Sequence, residues 1–413
     1  NSALYSNTTG SDNTATGFSS LYSNTTGLAN TANGTLSLYS NTIGSQNTAI
    51  GISALYSNTT GSQNTASGVS SLLSNTTGGS NTANGRSALF SNTNGSFNTA
   101  SGVSSLFYNT TGSENAAVGS NALLLNTTGK LNTAVGANSM YRNTTGSWNS
   151  AVGMSSMFRN TTGRENTAQG FLALYQNTTG FQNTAVGSAA GFNNVTGTGN
   201  VFIGYYAGYN AIGSNRLYIS NNATTPLLYG VFSATPANNK LGVGTATVAA
   251  GDAINVWNGA HLTTGGVWTN ASSRELKDNI ETLSTEDANK ALAGLSPVRY
   301  VYKNSGDEEY MGFIAEDVPD LVAMNDHKSL SPMDIVAVLT TVTKEQSAKL
   351  TEQAAKMTEK DNQIVALRDA LAKQDERMLQ TEKANEERML QMEMALAEVL
   401  RNQSPENQVG STN

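Results

Sequence analysis

Hydrophobic positions in the first half of the chain recur strictly at every seventeenth residue. Each unit approximates NTTGSxNTAxGxSALYS, in which three places are apolar and most others are polar. One apolar place holds leucine or methionine, the next usually holds Tyr or Phe, and a third holds alanine. A period of this length predicts a solenoid, with one coil per unit. The leucine place comprises Leu4, Leu21, Leu38, Leu55, Leu72, Leu89, Leu106, Leu123, Met140, Met157 and Leu174.

Two glycines and two asparagines also keep fixed places in the unit, beginning at Gly10, Gly17, Asn7 and Asn13. Two fixed glycines favour two tight turns with positive φ, and therefore two short extended segments in each coil. The Asn-Thr-Thr triplet also matches an N-glycosylation acceptor. The strict period favours the other interpretation, in which these asparagines are turn and ladder residues.

The apolar content of one unit is small. Fixing the backbone of a whole unit costs more conformational entropy than burying three apolar side chains returns, so one unit does not fold alone. Stacked coils at ~4.8 Å satisfy the backbone through parallel ladders. Three apolar side chains per coil still make a thin core for one chain. We therefore expect several parallel chains to pool their apolar faces in a homotrimeric rod.

The repeats over about residues 1–210 resemble the heads of trimeric autotransporter adhesins, whose NxxAxG repeats form left-handed parallel β-rolls packed in threes. They are also similar to NTAVG and NTTG repeat proteins of bacterial surface and predatory-bacterium fibres. The unit of the adhesin heads is shorter than the unit of this chain. The resemblance implies an extracellular fibre.

Residues directly after NTTG vary most between units, which is typical of an outward corner. Phe97, Trp148 and Phe181 lie there and are candidate contacts for a glycan or protein ligand. Alternatively, they pack against a neighbouring chain or are singly exposed. From residue 205 to residue 270 the period ends, and alternating segments broken by Gly and Pro predict a β-rich neck.

Composition narrows the functional classes. Only 13% of residues are charged, 40 are Gly and none is Cys, which favours an extended architecture and excludes disulfides and cysteine nucleophiles. A net charge of -7 argues against nucleic acid as a partner. No apolar run reaches the ~18 residues of a membrane helix. His261 and His327 lack neighbouring ligands, so we expect no metal and no cofactor.

Four ordered segments after the neck carry a second resemblance. NASSRELKDNI (270–280) resembles the SDxxLKxNI signature of the endosialidase-type intramolecular chaperone family, LSPVRYVY (295–302) resembles its LxPVxYxYK, and GFIAEDV (312–318) resembles its GFIAQEV. The helix-opening SPMD (331–334) completes the order. Members of that family lie at the C-terminus of trimeric tail spikes and fibres. They assist trimer folding and then release themselves by self-cleavage. The resemblance assigns residues 271–345 to such a domain.

The same resemblance assigns chemistry to the junction. It makes Ser272 the nucleophile, Lys277 the general base and Ala271-Ser272 the scissile bond. A serine hydroxyl needs such a base, and lysine serves only when desolvated. Ser273 stands where the family usually has Asp. Alternatively, Ser272 caps a helix that starts at Arg274, with Lys277 a solvated charge.

The last segment predicts a coiled coil over residues 346–403, because apolar residues recur at heptad spacing without proline. Asn385 interrupts this stripe and is expected to fix alignment. A long solvated helix without a partner is the alternative, and residues 404–413 have the composition of a disordered tail. The heptad positions are Leu350, Met357, Ile364, Leu371, Met378, Met392 and Val399.

These elements predict a mainly β protein with five parts. They are a trimeric β-roll of repeats (1–204), the neck (205–270), a small α/β chaperone domain, the coiled coil and the tail. The expected function is an extracellular or cell-surface trimeric fibre or adhesin. Alternatives are a phage tail fibre with receptor-binding function and a purely structural fibre without ligand. Enzymatic activity would be at most a single self-cleavage, without turnover of external substrates, and we expect no membrane insertion.

Overall fold

The computed structural model describes residues 2–303, 307–324 and 327–402. The chain divides into two compact units, Asn1–Leu276 and Lys277–Asn413. The first unit contains the repeats and the neck. The second contains the candidate chaperone region and the C-terminal helix.

The repeats form a stack of short parallel strands, which confirms the predicted β-solenoid. Each strand has three residues, and its equivalent in the next coil lies one repeat unit further along the chain. Within residues 2–303 these strands are β1 (Thr14–Thr16), β2 (Thr31–Asn33), β3 (Thr48–Ile50), β4 (Thr65–Ser67), β5 (Thr82–Asn84), β6 (Thr99–Ser101), β7 (Ala116–Val118), β8 (Thr133–Val135), β9 (Ser150–Val152), β10 (Thr167–Gln169), β11 (Thr184–Val186) and β12 (Val201–Ile203).

Each strand places an alanine in the core. Ala15 lies opposite Ala32, and Ala32 lies opposite Ala49. From Ala32 to Ala185 this central alanine is fully buried. The residues on either side of it point outward because side chains alternate along a strand. The alanine column therefore occupies the inward place that the period predicted.

The leucine column supplies most of the large apolar side chains of the core, and Phe202, at the place of the central alanine in β12, is the largest. Its members from Leu21 to Leu174 are fully buried, including Met140 and Met157. Leu21 has a φ of 50°, in the left-handed region. That conformation costs a residue with a Cβ roughly 1–2 kcal/mol. Burying a leucine side chain contributes about 1.5–3 kcal/mol, which offsets this cost at a corner of the coil.

Two asparagine columns are also buried, beside a buried column of Ser or Ala that directly precedes the leucine. In the first, Asn41 Nδ2 donates to Asn24 Oδ1 in the preceding coil (2.7 Å) and to Gly44 O in its own coil (2.9 Å). In the second, the amide groups of Asn47 donate to Asn30 Oδ1 (N 3.0 Å, Nδ2 3.1 Å). All four asparagines are fully buried. A buried amide is stable here because the neighbouring coil and the local turn satisfy it.

These buried amides correct two expectations. The first is that three chains must pool their apolar side chains to complete a core: one chain already encloses its leucine, alanine and asparagine columns. Buried asparagines occupy interior places that only apolar residues were expected to fill. The second correction concerns glycosylation. From Asn24 to Asn177 the asparagine side chains of these triplets are buried in the first ladder, which favours the turn and ladder interpretation.

The two fixed glycines have different roles, whereas the sequence predicted two equivalent turns. Gly17 has a φ of 127°, as expected of a tight turn. Gly10 has no positive φ, but a Cβ there would lie 2.5 Å from Gly27 O in the next coil. Its role is close approach between coils. Within residues 2–303 the repeat accordingly has one strand per coil, where two extended segments were expected.

The aromatic residues after the leucine column form a half-buried ladder on the solenoid. Tyr22 and Tyr39 stack with ring centroids 5.3 Å apart, close to the spacing between coils. Leu73 and Leu124 replace the aromatic residue in two coils. Between and beyond them the rings stack again, for example Phe158 on Tyr175 at 5.2 Å. Each coil with a ring at this place, next to another such coil, thus adds an aromatic contact to its neighbour.

The neck continues the stack and then becomes antiparallel. Its first strand pairs in parallel with β12, and the next two strands add antiparallel pairings. The first asparagine ladder ends nearby, at Asn177, whose buried Oδ1 lacks a hydrogen-bond partner among the described residues. The neck strands are β13 (Arg216–Ile219), β14 (Leu228–Val231), β15 (Lys240–Val243), β16 (Asp252–Val256), β17 (His261–Thr263) and β18 (Trp268–Thr269).

The second unit consists of a small α/β core and a long helix. A core of valine and alanine side chains joins the first helix to the start of the second, through Ala288, Ala291, Val338 and Val342. The second helix has 71 residues, a length of about 107 Å. The helices and strands of the second unit are α1 (Thr285–Ala293), β19 (Val298–Tyr300), β20 (Tyr310–Gly312) and α2 (Pro332–Asn402). The tail predicted to be disordered, residues 404–413, lies outside the described residues.

Candidate functional site

The predicted cleavage segment follows the last strand of the neck. Ala271 is half-buried, whereas Ser272 and Lys277 are exposed. Ser272 lies near the end of the first unit, and Lys277 begins the second. A short 3-10 turn, Arg274–Leu276, separates them along the chain. Within a single chain, the candidate nucleophile and base therefore both lie in solvent-accessible positions.

The 3-10 turn is capped by the neighbouring serine. Glu275 N donates to Ser273 Oγ at 3.3 Å, and Leu276 N donates to Ser273 O at 3.2 Å. Ser273, the residue after the candidate nucleophile, thus provides this cap. Serine and aspartate are both good capping residues because each side chain accepts a bond from the backbone. An aspartate at this place could cap the turn in the same way.

The motifs of the second unit meet around a tyrosine cluster. The rings of Tyr300 and Tyr302 pack edge to face at 5.2 Å, and Tyr302 packs on Tyr310 at 5.3 Å. The Tyr302 hydroxyl raises the pKa of Tyr300, and the bond to Glu308 raises the pKa of Tyr310. A Cβ on Gly312 would lie 3.3 Å from the Tyr300 ring. Glycine in the GFIAE segment therefore allows the ring to lie against the opposite strand.

A cleft of about 1210 Å³ lies between this hairpin and the start of α2. Its walls include Tyr300, Phe313, Leu330 and Ile335. The sequence motifs thus mark an open apolar surface as well as a core.

The first helix of the second unit is tied to α2 by polar contacts. Asp287 N donates to Ser284 Oγ (3.0 Å), which caps α1. Asn289 Nδ2 donates to Glu345 Oε2 at 2.6 Å, and Lys349 Nζ lies 2.8 Å from Glu345 Oε1. These bonds, to Lys349 first and then to Asn289, lower the pKa of the Glu345 carboxyl. They join α1 to the last part of α2 that has buried residues.

Beyond this contact α2 is exposed along its whole described length. Leu350 is 66% exposed and Met357 is 69% exposed. The predicted heptad residues Ile364, Leu371, Met378, Met392 and Val399 are exposed as well. Asn385, the polar residue of the stripe, is also exposed. The chain therefore presents the complete predicted seam to solvent.

The three candidate ligand contacts differ in their placement. Phe97 is 66% exposed and Trp148 is 57% exposed, and both occupy the same place of the repeat. Phe181 is half-buried, with the guanidinium carbon of Arg164 4.8 Å from its ring centre. Phe97 and Trp148 are three coils apart along the stack.

The histidines each have an acidic neighbour. His261 Nε2 lies 3.7 Å from Asp252 Oδ1, and His327 Nε2 lies 3.2 Å from Asp320 Oδ1. In residues 2–303, 307–324 and 327–402 there is no group of three or more His, Asp or Glu side chains arranged to hold a metal. Among the helices described there, none has the length and apolar character needed to span a membrane.

Comparison with known families bears directly on the junction. Residues 272–327 match the model of the peptidase family described as Chaperone of endosialidase. This confirms the resemblance inferred from the motifs, with a β-solenoid of repeats on its N-terminal side. No curated protein and no solved structure matches the chain.

The sequence analysis did not predict three features of the structure. The aromatic ladder was visible as Tyr or Phe after each leucine, but its stacking along the fibre was not inferred. The cap at Ser273 lay one residue from the serine considered. The outward apolar residues around Gly17 and its equivalents were also missed, although the alternation of Val and Ile with Gly signalled them.

Proposed function

We propose that the chain is part of an extracellular trimeric fibre whose C-terminal unit aligns three copies. The family match implies trimerisation. The observation that carries the proposal is the exposed apolar seam of α2, which a single chain leaves in water over most of the 71 residues of the helix. Copies of the same helix are its natural partners because heptad seams bury one another. The solenoid supplies the rigid shaft.

We also propose that the junction cleaves itself after assembly. The family match starts at Ser272, the residue that follows the proposed scissile bond. Both Ser272 and Lys277 are exposed in a single chain, whereas lysine acts as a base only when desolvated. Partner chains that cover Lys277 would supply this desolvation. Cleavage would then report completed assembly.

The chemical step is an acyl shift followed by hydrolysis. Lys277 Nζ takes the hydroxyl proton as Ser272 Oγ bonds to the Ala271 carbonyl carbon. The peptide C–N bond then breaks, and its nitrogen receives the proton from Lys277. Water hydrolyses the resulting ester, which releases the Ala271 carboxylate and restores the serine hydroxyl. The serine attacks only its own preceding carbonyl, so added peptides should not be turned over.

Denaturing mass measurement tests the cleavage. The wild-type chain should yield fragments 1–271 and 272–413, and Ser272→Ala should remain intact at 43.2 kDa. Lys277→Met should also remain intact because the hydroxyl then lacks its base. Ser347→Ala, which removes an exposed hydroxyl of α2 away from the junction, is the matched control and should still be cleaved. An intact wild-type chain would refute the cleavage and leave the trimer proposal standing.

Receptor binding is a second candidate function, and the exposure of Phe97 and Trp148 at the variable corner favours it. Large exposed aromatic side chains are common contacts for glycans and proteins. Glycan-array or whole-cell binding by the full chain should fall at least about tenfold in Phe97→Ala/Trp148→Ala. Undiminished binding would place the receptor contact elsewhere, and no binding by the wild type would favour a structural fibre. We place such a fibre on a bacterial surface or a virion tail.

A further inference from the structure

The solenoid carries a narrow apolar ridge that the chain itself does not cover. In each coil the last strand residue and the residue two further on both point outward, on either side of the glycine equivalent to Gly17. We call these two columns the glycine ridge. Its exposed large apolar members are Phe18, Ile50, Ile52, Val69, Val103, Val118, Val152, Met154, Phe171, Val186, Ile203 and Tyr205.

The ridge runs along almost the whole stack. Its exposed apolar residues come from nine of the twelve coils within residues 2–303, and half-buried Val135 adds a tenth. At ~4.8 Å per coil, the ridge is about 55 Å long. Single exposed apolar residues are normal on a protein surface, whereas an apolar line interrupted only at Asn33/Thr35 and Asn84/Arg86 marks an interaction site.

The charged side chains of the repeats lie almost entirely off the glycine ridge. Residues 1–204 contain eight charged side chains, of which only Arg86 lies on the ridge. Five lie at the variable corner and two follow the aromatic ladder. Apart from Arg86, whose three copies would meet in an in-register trimer, the ridge carries no charge that would repel an identical ridge. The off-ridge charged residues are Asp12, Glu114, Lys130, Arg142, Arg159, Arg164 and Glu165.

The partner must match the repeat of the ridge over its length. A parallel copy of the same chain does so, because its coils present the same columns at the same spacing. The ridge is only two residues wide, which suits the convergence of three ridges on an axis better than a broad sheet-to-sheet contact. We propose that the glycine ridge lies on the threefold axis of the fibre and packs against the same ridge of two further copies, parallel and in register. This inference rests on the proposed trimer.

In this arrangement the different surfaces of each coil have different roles. The ridge faces the other copies, and the charged variable corner with Phe97 and Trp148 faces solvent. The aromatic ladder needs no partner chain because its rings already cover one another.

Site-specific disulfide formation tests the ridge, because the chain has no cysteine of its own. Val152→Cys in the full chain places a thiol on the ridge, and Thr145→Cys places an exposed thiol in the same coil but off the ridge. Leu371→Cys reports pairing of the helix. All three carry Ser272→Ala so that the chain stays intact. Under mild oxidation, Val152→Cys should form linked pairs at least about tenfold more efficiently than Thr145→Cys, since a disulfide needs Cα atoms within ~7 Å.

The outcomes separate the two proposals. If Leu371→Cys forms linked pairs and Val152→Cys does no better than Thr145→Cys, the ridge proposal is overturned and the trimer stands. If neither Leu371→Cys nor Val152→Cys links and the solution mass is that of one chain, both proposals fail. Val152→Lys provides a second measurement. It should lower the thermal midpoint of the assembled fibre by several degrees relative to Thr145→Lys, because three lysines would meet at the axis.

Discussion

The solenoid and the long helix deal with their apolar residues in opposite ways. The solenoid buries its leucine and alanine columns completely within one chain. Helix α2 leaves Leu350, Met357 and Leu371 more than half exposed. A coil can close around its own side chains, whereas one face of a straight helix remains open. Periodicity therefore locates apolar columns, and chain geometry decides whether the same chain or a copy buries them.

The largest expected effect is loss of assembly through the helix. Ile364→Lys/Leu371→Lys puts two charges into the exposed seam, so the solution mass should fall about threefold as the trimer dissociates. The β-signal in circular dichroism should persist, because the solenoid closes within one chain. The control Asn362→Lys/Ala366→Lys adds the same charge off the seam and should remain trimeric. Both double variants also carry Ser272→Ala, so that the chain stays intact. Loss of the β-signal along with the mass would contradict the comparison.

A second prediction concerns the asparagine ladder. Asn92 Nδ2 donates to Asn75 Oδ1 (2.7 Å) and Gly95 O (2.9 Å), and Asn92 Oδ1 accepts from Asn109 (2.7 Å). Asn92→Ala leaves buried groups unsatisfied and should lower the free energy of unfolding by about 3 kcal/mol. The exposed neighbour Asn94 is the matched control, and Asn94→Ala should change it by less than about 0.5 kcal/mol. Denaturant titration measures both, and equal effects would refute the buried-amide core.

A smaller effect is expected at adjacent glycines. A Cβ on Gly78 would lie 2.5 Å from Asn75 Oδ1 and close against Gly95 O. Gly78→Ala should therefore destabilise the solenoid by about 2 kcal/mol through overpacking. A Cβ on Gly79 would lie 3.1 Å from Ser62 O, so Gly79→Ala should cost at most about 1 kcal/mol. If thermal unfolding ranks the two variants in the reverse order, close approach is not the role of Gly78.

The smallest effect is pH-dependent and lies in the second unit. Bonds to Lys349 and Asn289 lower the pKa of Glu345 below its ordinary value of 4.5. Because the folded pKa lies below the unfolded one, the stabilisation is complete above pH 4.5 and is lost as pH falls through the folded pKa. Glu345→Gln should flatten the stability of α1 over that acidic window. Glu352→Gln, which alters an exposed pair on the same helix, is the control. An unchanged slope in amide exchange of α1 would count against the link.

Sequence reasoning predicted the solenoid, the inward alanine and leucine columns and the long helix. It did so because strict periodicity in apolar residues reports directly on burial. It missed the asparagine core because polar residues are ordinarily placed outside, and only the neighbouring coil satisfies their amides. It also missed leucine at positive φ, since local preference opposes that conformation and packing across coils imposes it.

The candidate site, like the fold, could be predicted from the sequence only in part. Ser272, Lys277 and the motif order were visible in the sequence because short motifs are local. The role of Ser273 as a cap required the backbone, since two adjacent serines look alike in a sequence. Desolvation of Lys277 depends on what covers it in the assembly, so a single chain does not determine it.

Solution mass tests the central claim most directly. That claim is that a chain with a closed solenoid is joined to two copies by the seam that its helix leaves exposed. Multi-angle light scattering of Ser272→Ala, which stays covalently whole, should give about 130 kDa, three times the chain mass of 43.2 kDa. A mass of 43.2 kDa at every concentration, with α2 still fully helical, would contradict the account.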